Sequence, residues 1–120
     1  MGIFRIAVPT NGSDGLDDFV SNVFGRAKTF TIVNVENKQM IDAKVMENSA
    51  ESYNHGAGPI VVKMLVDEGV NVVISNKLGI GASELLKQFN ITHFQVTPGK
   101  KVKETIKRAL PSLKMEASVN

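Results

Sequence analysis

The chain has 120 residues, 42% of them apolar, a formal net charge of +2 and no cysteine. One domain of this length buries about two thirds of its unfolded surface, and the balanced charge lacks the basic stripe of a nucleic-acid binder. Without cysteine, disulfides, CxxC redox chemistry and thiolate-held clusters are excluded within the chain.

No apolar h-region follows Met1, and no apolar run has the length of a membrane span. The expectation is a cytoplasmic protein with no membrane partner, forming a single domain over residues 1–120. Ile3 to Val8 reads as the first strand, stopped by Pro9. Thr10 to Gly15 is loop chemistry. Asp14, Asp17 and Asp18 suggest calcium, but Leu16 stands where the EF-hand pattern needs an oxygen ligand, and a solvated loop is the simpler reading. Phe19 to Ala27 is read as holding a short helical turn, with Gly25 at a special backbone angle. Arg26 beside it either clamps an anion or pairs with a nearby aspartate.

Phe30, Ile32 and Val35 place a second strand over Thr29 to Val35. Glu36-Asn37-Lys38 is a hairpin connection. Ile41, Ala43 and Val45 alternate with Asp42, Lys44 and Glu47 in a third, half-exposed edge strand from Met40 to Glu47. Asn48 to Asn54 is a polar loop. His55-Gly56-Ala57-Gly58-Pro59 opens a helix with apolar face Ile60, Val61, Met64 and Leu65, and Gly69 closes it. Val70, Val72, Val73 and Ile74 form a strand buried on both faces. Gly79 and Gly81 bracket Ile80 in a turn, and Ala82, Leu85, Leu86 and Phe89 mark one face of the next helix. Ile91 to Val96 is the last strand. Val102, Ile106, Ala109 and Leu110 mark the last helix, ended by Pro111, with a weakly ordered tail over residues 112–120. The late group Lys100, Lys101, Lys103, Lys107, Arg108 and Lys114 reads as a solvated helix face.

The order β, β, β, α, β, α, β, α gives a three-layer α/β/α fold. Right-handed crossovers set the strand order 3-2-1-4-5, with the second strand antiparallel to the rest. This is the ribonuclease H-like motif. A two-metal nuclease of that type needs a carboxylate on the first strand, and Ile3-Phe4-Arg5-Ile6-Ala7-Val8 has none. Gly79-Ile80-Gly81 lacks the third glycine of a dinucleotide fingerprint, and there is no Walker lysine. Ser21, Ser75 and Ser83 show no His–acid partners, and His93 reads as a strand residue. Catalysis is not expected.

Ile6-Ala7-Val8-Pro9, Val20-Ser21 before Phe24-Gly25-Arg26-Ala27, Phe30-Thr31-Ile32-Val33, His55-Gly56-Ala57-Gly58 and Gly69-Val70-Asn71-Val72-Val73-Ile74 resemble, as an ordered set, the dinitrogenase iron–molybdenum cofactor biosynthesis family. The resemblance covers Ile3 to Leu110. It implies the ribonuclease H-like fold and a carrier of the iron–molybdenum cofactor or its iron–sulfur precursors, working with other cluster-assembly proteins. Cofactor-carrying members often have a histidine just before the Phe-Gly. Here Val23 stands there and cannot coordinate metal.

Backbone N–H groups at Gly56-Ala57-Gly58 and Gly79-Ile80-Gly81 would face one sheet edge and favour an anion. Arg26 would add charge, and His55 would either ligate metal or remain a loop histidine. A small-anion or nucleotide-binding module without metal, and a purely structural partner domain, are the alternatives.

Overall fold

A computed structural model describes residues 3–53 and 55–118, with side chains described through 113. The Met1-Gly2 start, Asn54 of the polar loop, the Lys114 side chain and the Val119-Asn120 end of the expected tail lie outside the described residues. Eight regular elements follow in the chain: β1 (Ile3–Thr10), β2 (Thr29–Glu36), β3 (Gln39–Glu47), α1 (Ala57–Asp67), β4 (Val72–Ser75), α2 (Ile80–Gln88), β5 (Thr92–Gln95) and α3 (Val102–Ser118). The sheet order is β3-β2-β1-β4-β5. β2 is antiparallel to β1 and β3, while β4 runs parallel to β1 and β5. This is the expected ribonuclease H-like order.

Period-two alternation divides the apolar residues between the two sheet faces. Ala7, Phe30, Ile32 and Val73 meet Val61, Val62 and Leu65 of α1 and Leu86 of α2. Ile6, Val8, Val33, Val35 and Ile74 meet Val102, Ile106 and Leu113 of α3. Asn37 and Lys38 both take positive φ, 53° and 67°, in the two-residue β2–β3 hairpin, whose twist suits the flanking strands. Gly69, at φ 78°, ends α1 as expected.

Several local expectations are corrected. β1 continues through Pro9, which pairs with Phe30. Its carbonyl accepts the Ser21 N–H at 2.8 Å. N and O of one strand residue point the same way, so the missing N–H lies on the side away from β2 and costs that ladder nothing. In β3, the register shifts between Asn34 and Val35, leaving Ile41 as the extra residue of a bulge and 55% exposed. It therefore does not share a face with Ala43 and Val45. Ile80 and Gly81 form the first turn of α2, not a loop before it, and Phe89 at its far end is half exposed. The short helical turn lies at Gly15–Asp17 instead of within the Phe19–Ala27 stretch.

Asp17 pairs with Lys103 of α3 at 2.9 Å, and the hydrogen bond with the neighbouring ammonium charge holds its carboxyl below the usual carboxylate range. Asp18 is buried, accepting Gly12 N–H at 2.8 Å and Phe19 N–H at 2.7 Å. This loop is tied down by its own backbone rather than solvated throughout.

The last helix also differs. α3 does not stop at Pro111 but runs to Ser118. The carbonyl that loses its donor belongs to Lys107, and both residues are exposed, so water can satisfy it. Leu113, on the far side of the proline, is fully buried with Ile106 and Val102. Leu113→Ala is predicted to cost about 2–5 kcal/mol in a urea titration. A cost near zero would mean that the helix packs only as far as Pro111.

Candidate functional site

The carboxyl ends of β1 and β4 lie side by side, and the chain leaves them in opposite directions, toward β2 and toward β5. Open α/β sheets place ligands at such a point. A cleft of about 450 Å³ opens there, walled by Asn22–Arg26 after β1, Gly56–Pro59 at the start of α1, and Lys77, Gly79, Gly81 and Ala82 at the start of α2. Of the residues expected from sequence, Arg26, Gly56, Ala57, Gly58, Gly79 and Gly81 line this one cleft. His55 and Ile80 stand outside the lining. His55 is exposed, and Ile80 is 84% exposed beside the mouth.

Three small residues let the walls approach. Gly25 does not take a positive φ; its requirement is steric. A Cβ there would fall 2.7 Å from the Gly58 nitrogen and 3.0 Å from its Cα. Gly58 in turn leaves only 3.3 Å between a Cβ of its own and the Ala82 Cβ. The loop after β1 is thus seated on the first turn of α1, which is seated on α2. Phe24 anchors the loop from below by an edge-to-face contact with Phe30, centroids 5.4 Å apart.

Gly79 and Gly81 are different. A Cβ at Gly79 meets nothing within 4 Å, and one at Gly81 meets only Pro59 Cγ at 3.9 Å. Packing does not require glycine at either, so the α2 start presents bare backbone to the cleft. No side chain caps α1 or α2. Their first N–H groups therefore have no intrahelical acceptor and lie at the positive ends of two helix dipoles. Arg26 and Lys77 add two cations, and among the described residues neither forms an ion pair. The alternative pairing of Arg26 with a nearby aspartate does not occur: Asp17 pairs with Lys103, Asp18 accepts backbone N–H groups, and Asp14 forms no ion pair with Arg26. Among the described residues, no carboxylate, imidazole or thiol lines the cleft. Such a lining attracts anions but offers no side chain of the usual metal-ligating kinds.

The sequence reading missed Lys77, Asn22 and Pro59 as lining residues. Proximity to Gly79 was the available signal for Lys77; Asn22 is brought in only by the tertiary fold. One further contact corrects the sequence reading. Ser75, read as lacking a histidine partner, lies 2.9 Å from His93 Nε2 because β4 and β5 pair in parallel. Ser75 is fully buried and donates to the Asn76 carbonyl at 2.9 Å. This pair joins two strands, with the Ser75 hydroxyl buried between them and the imidazole half-buried.

A model of the dinitrogenase iron–molybdenum cofactor family matches residues 3–112. The chain belongs to that family. An uncharacterized protein of Methanocaldococcus jannaschii is 30% identical over 89 residues, covering 74% of this chain and 71% of that one. The apo form of the orange protein from Desulfovibrio gigas superimposes with a TM-score of 0.82 at 31% identity, over 91% of this chain and 88% of that one. A candidate NifB protein of Thermotoga does so with a TM-score of 0.72 at 35% identity, over the same shares of the two chains, 91% and 88%. No described helix is long and apolar enough to cross a membrane.

Two measurements check this geometry. Gly25→Ala is predicted to cost about 1–3 kcal/mol, since the Cβ meets backbone that cannot rotate away, and to shift the Ala57 and Gly58 amide resonances. Unchanged stability and shifts would show that the wall is not seated on α1. Burial pushes the His93 imidazole below its ordinary value of 6.5. The unfolded chain then binds the proton more readily than the fold, so stability must fall as pH drops below about 6.5. His93→Gln, compared by urea titration across that range, should remove this component. An equal slope in both proteins would exclude His93 as its source.

Proposed function

We propose that this chain is a non-catalytic carrier whose cargo is an anionic metallocluster, an iron–molybdenum cofactor or an iron–sulfur precursor, held in the cleft between the starts of α1 and α2. The observation that carries the reading is the bare backbone at Gly79 and Gly81, where the fold has room for side chains and the sequence supplies none. Close approach of a ligand to backbone N–H groups is the physical use of such glycines. Family membership supports the kind of cargo, and the lining residues support the mode of holding it. Charge from Arg26 and Lys77 and hydrogen bonds from Ala57, Gly58, Ile80, Gly81 and Ala82 would grip an anion from two sides. Among the described residues the lining has no carboxylate or imidazole, the commonest general bases, which supports carriage over catalysis.

With Val23 in place of the histidine of cofactor-carrying members, binding rests on charge and hydrogen bonds. It should weaken as salt rises, because the cleft is open to solvent and the Debye length shrinks to about 3 Å at 1 M. His55, exposed and next to Gly56, is the candidate for a direct metal bond. The alternative occupant is a small anion or nucleotide without metal, and the same donors would serve it.

Protein purified without oxygen and loaded with the iron–molybdenum cofactor is expected to co-migrate with molybdenum, iron and sulfide on gel filtration. Gly81→Val should abolish retention while leaving stability within about 1 kcal/mol, the range of helix propensities. Arg26→Ala with Lys77→Ala should lower retention and flatten its salt dependence, and His55→Ala should lower it less. Retention unchanged by Gly81→Val would place the cargo elsewhere. Failure to retain any cluster, with thermal stabilisation by nucleotides or phosphate instead, would establish the alternative.

A further inference from the structure

We infer that Asn48 is the positioning residue of the cleft, the group that holds the Gly25–Ala27 wall against the start of α1. Asn48 follows β3, belongs to neither helix and does not itself face the cleft. It is more than nine-tenths buried. Its Nδ2 donates to the Gly25 carbonyl at 3.0 Å and to the Ala27 carbonyl at 2.8 Å. Its Oδ1 accepts the Ala50 N–H at 2.9 Å, and its own N–H donates to the Lys28 carbonyl at 3.3 Å. Two carbonyls at one end of the amide and an N–H at the other fix the orientation of the carboxamide.

The wall needs this hold. Residues 21–28 form no regular structure, and their ladder partners end where β2 begins. Elsewhere the segment is tied at its start by Ser21 N–H to the Pro9 carbonyl at 2.8 Å, internally by Ala27 N–H to the Phe24 carbonyl and Val23 N–H to Ser21 Oγ, both at 3.2 Å, and to Asn76, just after β4, through its exposed Nδ2 bond to the Asn22 carbonyl at 3.3 Å. The Gly25–Gly58 approach sets how far Arg26 stands from the α1 start, and a backbone that close has no side chain to hold it. Asn48 supplies the hold from behind and ties it to the segment that leads into α1. Glutamine would place the amide one methylene too far. Aspartate has the same shape but, when ionised, presents oxygen to two carbonyl oxygens and repels the wall.

Asn48→Asp therefore carries its own rescue. Burial against two acceptors raises the introduced carboxyl's pKa, and its protonated form regains one donor. Lys28, Glu47 and Glu51 adjoin the same position, and wild type and Asn48→Ala, run over the same pH series, carry whatever those groups contribute.

The experiment reads amide protection by NMR without ligand and then with sulfate, a dianion across the range used. In Asn48→Ala, protection of the Ala27 amide, which donates to the Phe24 carbonyl at 3.2 Å within the wall, and of the residue-48 amide, which donates to the Lys28 carbonyl, is expected to fall at least about tenfold, as for loss of one buried hydrogen bond, while Ile32 and Val73 in the sheet keep theirs. At these two amides Asn48→Asp should match Asn48→Ala at pH 8 and move back toward wild type at pH 5.5. Unchanged protection of both amides, an equal loss throughout the sheet, or no pH rescue in Asn48→Asp would overturn the inference. If both variants fail to fold, wild type decides: its Asn48 side-chain protons must exchange slowly and show contacts to Gly25 and Ala27, and their absence overturns it. The consequence for binding rests on the proposed anion site. Sulfate affinity should fall about tenfold in Asn48→Ala, and equal affinity with a freed wall would overturn that consequence. A wild type that binds no sulfate speaks against the anion site, and the protection data still decide the role of Asn48.

Discussion

The contact between Gly25 and Gly58 is the constraint on which the site depends. Two backbones from distant parts of the sequence touch where Gly25 has no room for a Cβ, and Gly58 has little room for one on the side of Ala82. Every other feature of the cleft is placed relative to that contact. Phe24 sinks into the core on one side of it, Arg26 emerges on the other, and Ala82 of α2 closes against Gly58 from the far wall. Protein interiors tolerate little volume change, and at a backbone-to-backbone contact the tolerance is smallest, because nothing there can change rotamer. The site is rigid for the same reason that it is narrow.

Most of the fold was legible because each element states its environment through period and composition. β4 is buried on both faces and reads as an unbroken β-branched run; β3 lies at an edge and reads as an alternation. Misreadings gather where tertiary context overrides a local rule. Pro9 and Pro111 are strong breakers in isolation, yet the missing N–H of Pro9 faces away from β2, and the Lys107 carbonyl that Pro111 leaves without a donor is open to water. Ile41 looked inward by alternation because a one-residue bulge leaves no mark in sequence. Phe89 completes a helical stripe by spacing but caps the end of α2, where it is half exposed.

The candidate site was legible to the extent that it is built of local motifs. The glycine-opened helix starts could be read directly, since uncapped N–H groups after a strand have one well-known use. The meeting of those starts with Arg26 required only the strand order. What could not be read was support at long range. Asn48 lies 23 positions from Gly25 in sequence, and in a polar loop its amide looks like any other. The reason Gly25 is glycine was also hidden, because a positive φ and a close approach select the same residue.

A cleft furnished with backbone donors and two cations, and with no carboxylate, imidazole or thiol among the described residues of its lining, has a restricted chemistry. Its donors and cations favour negative charge, and its described lining has none of the side chains that usually hold a metal by a direct bond. The grip of such a cleft on an anion would be a sum of several modest terms of about 0.5–3 kcal/mol each, all pointing the same way. Such a sum falls as soon as the ligand shifts by an ångström or so, because every donor loses geometry together, whereas a coordinate bond must be exchanged ligand by ligand. Rigid walls make that dependence steep, since they do not follow the ligand as it leaves. Tight placement and easy release, which oppose each other when a side chain ligates a metal, are therefore compatible here. That compatibility is the physical property that a carrier requires and that a permanent cofactor site does not.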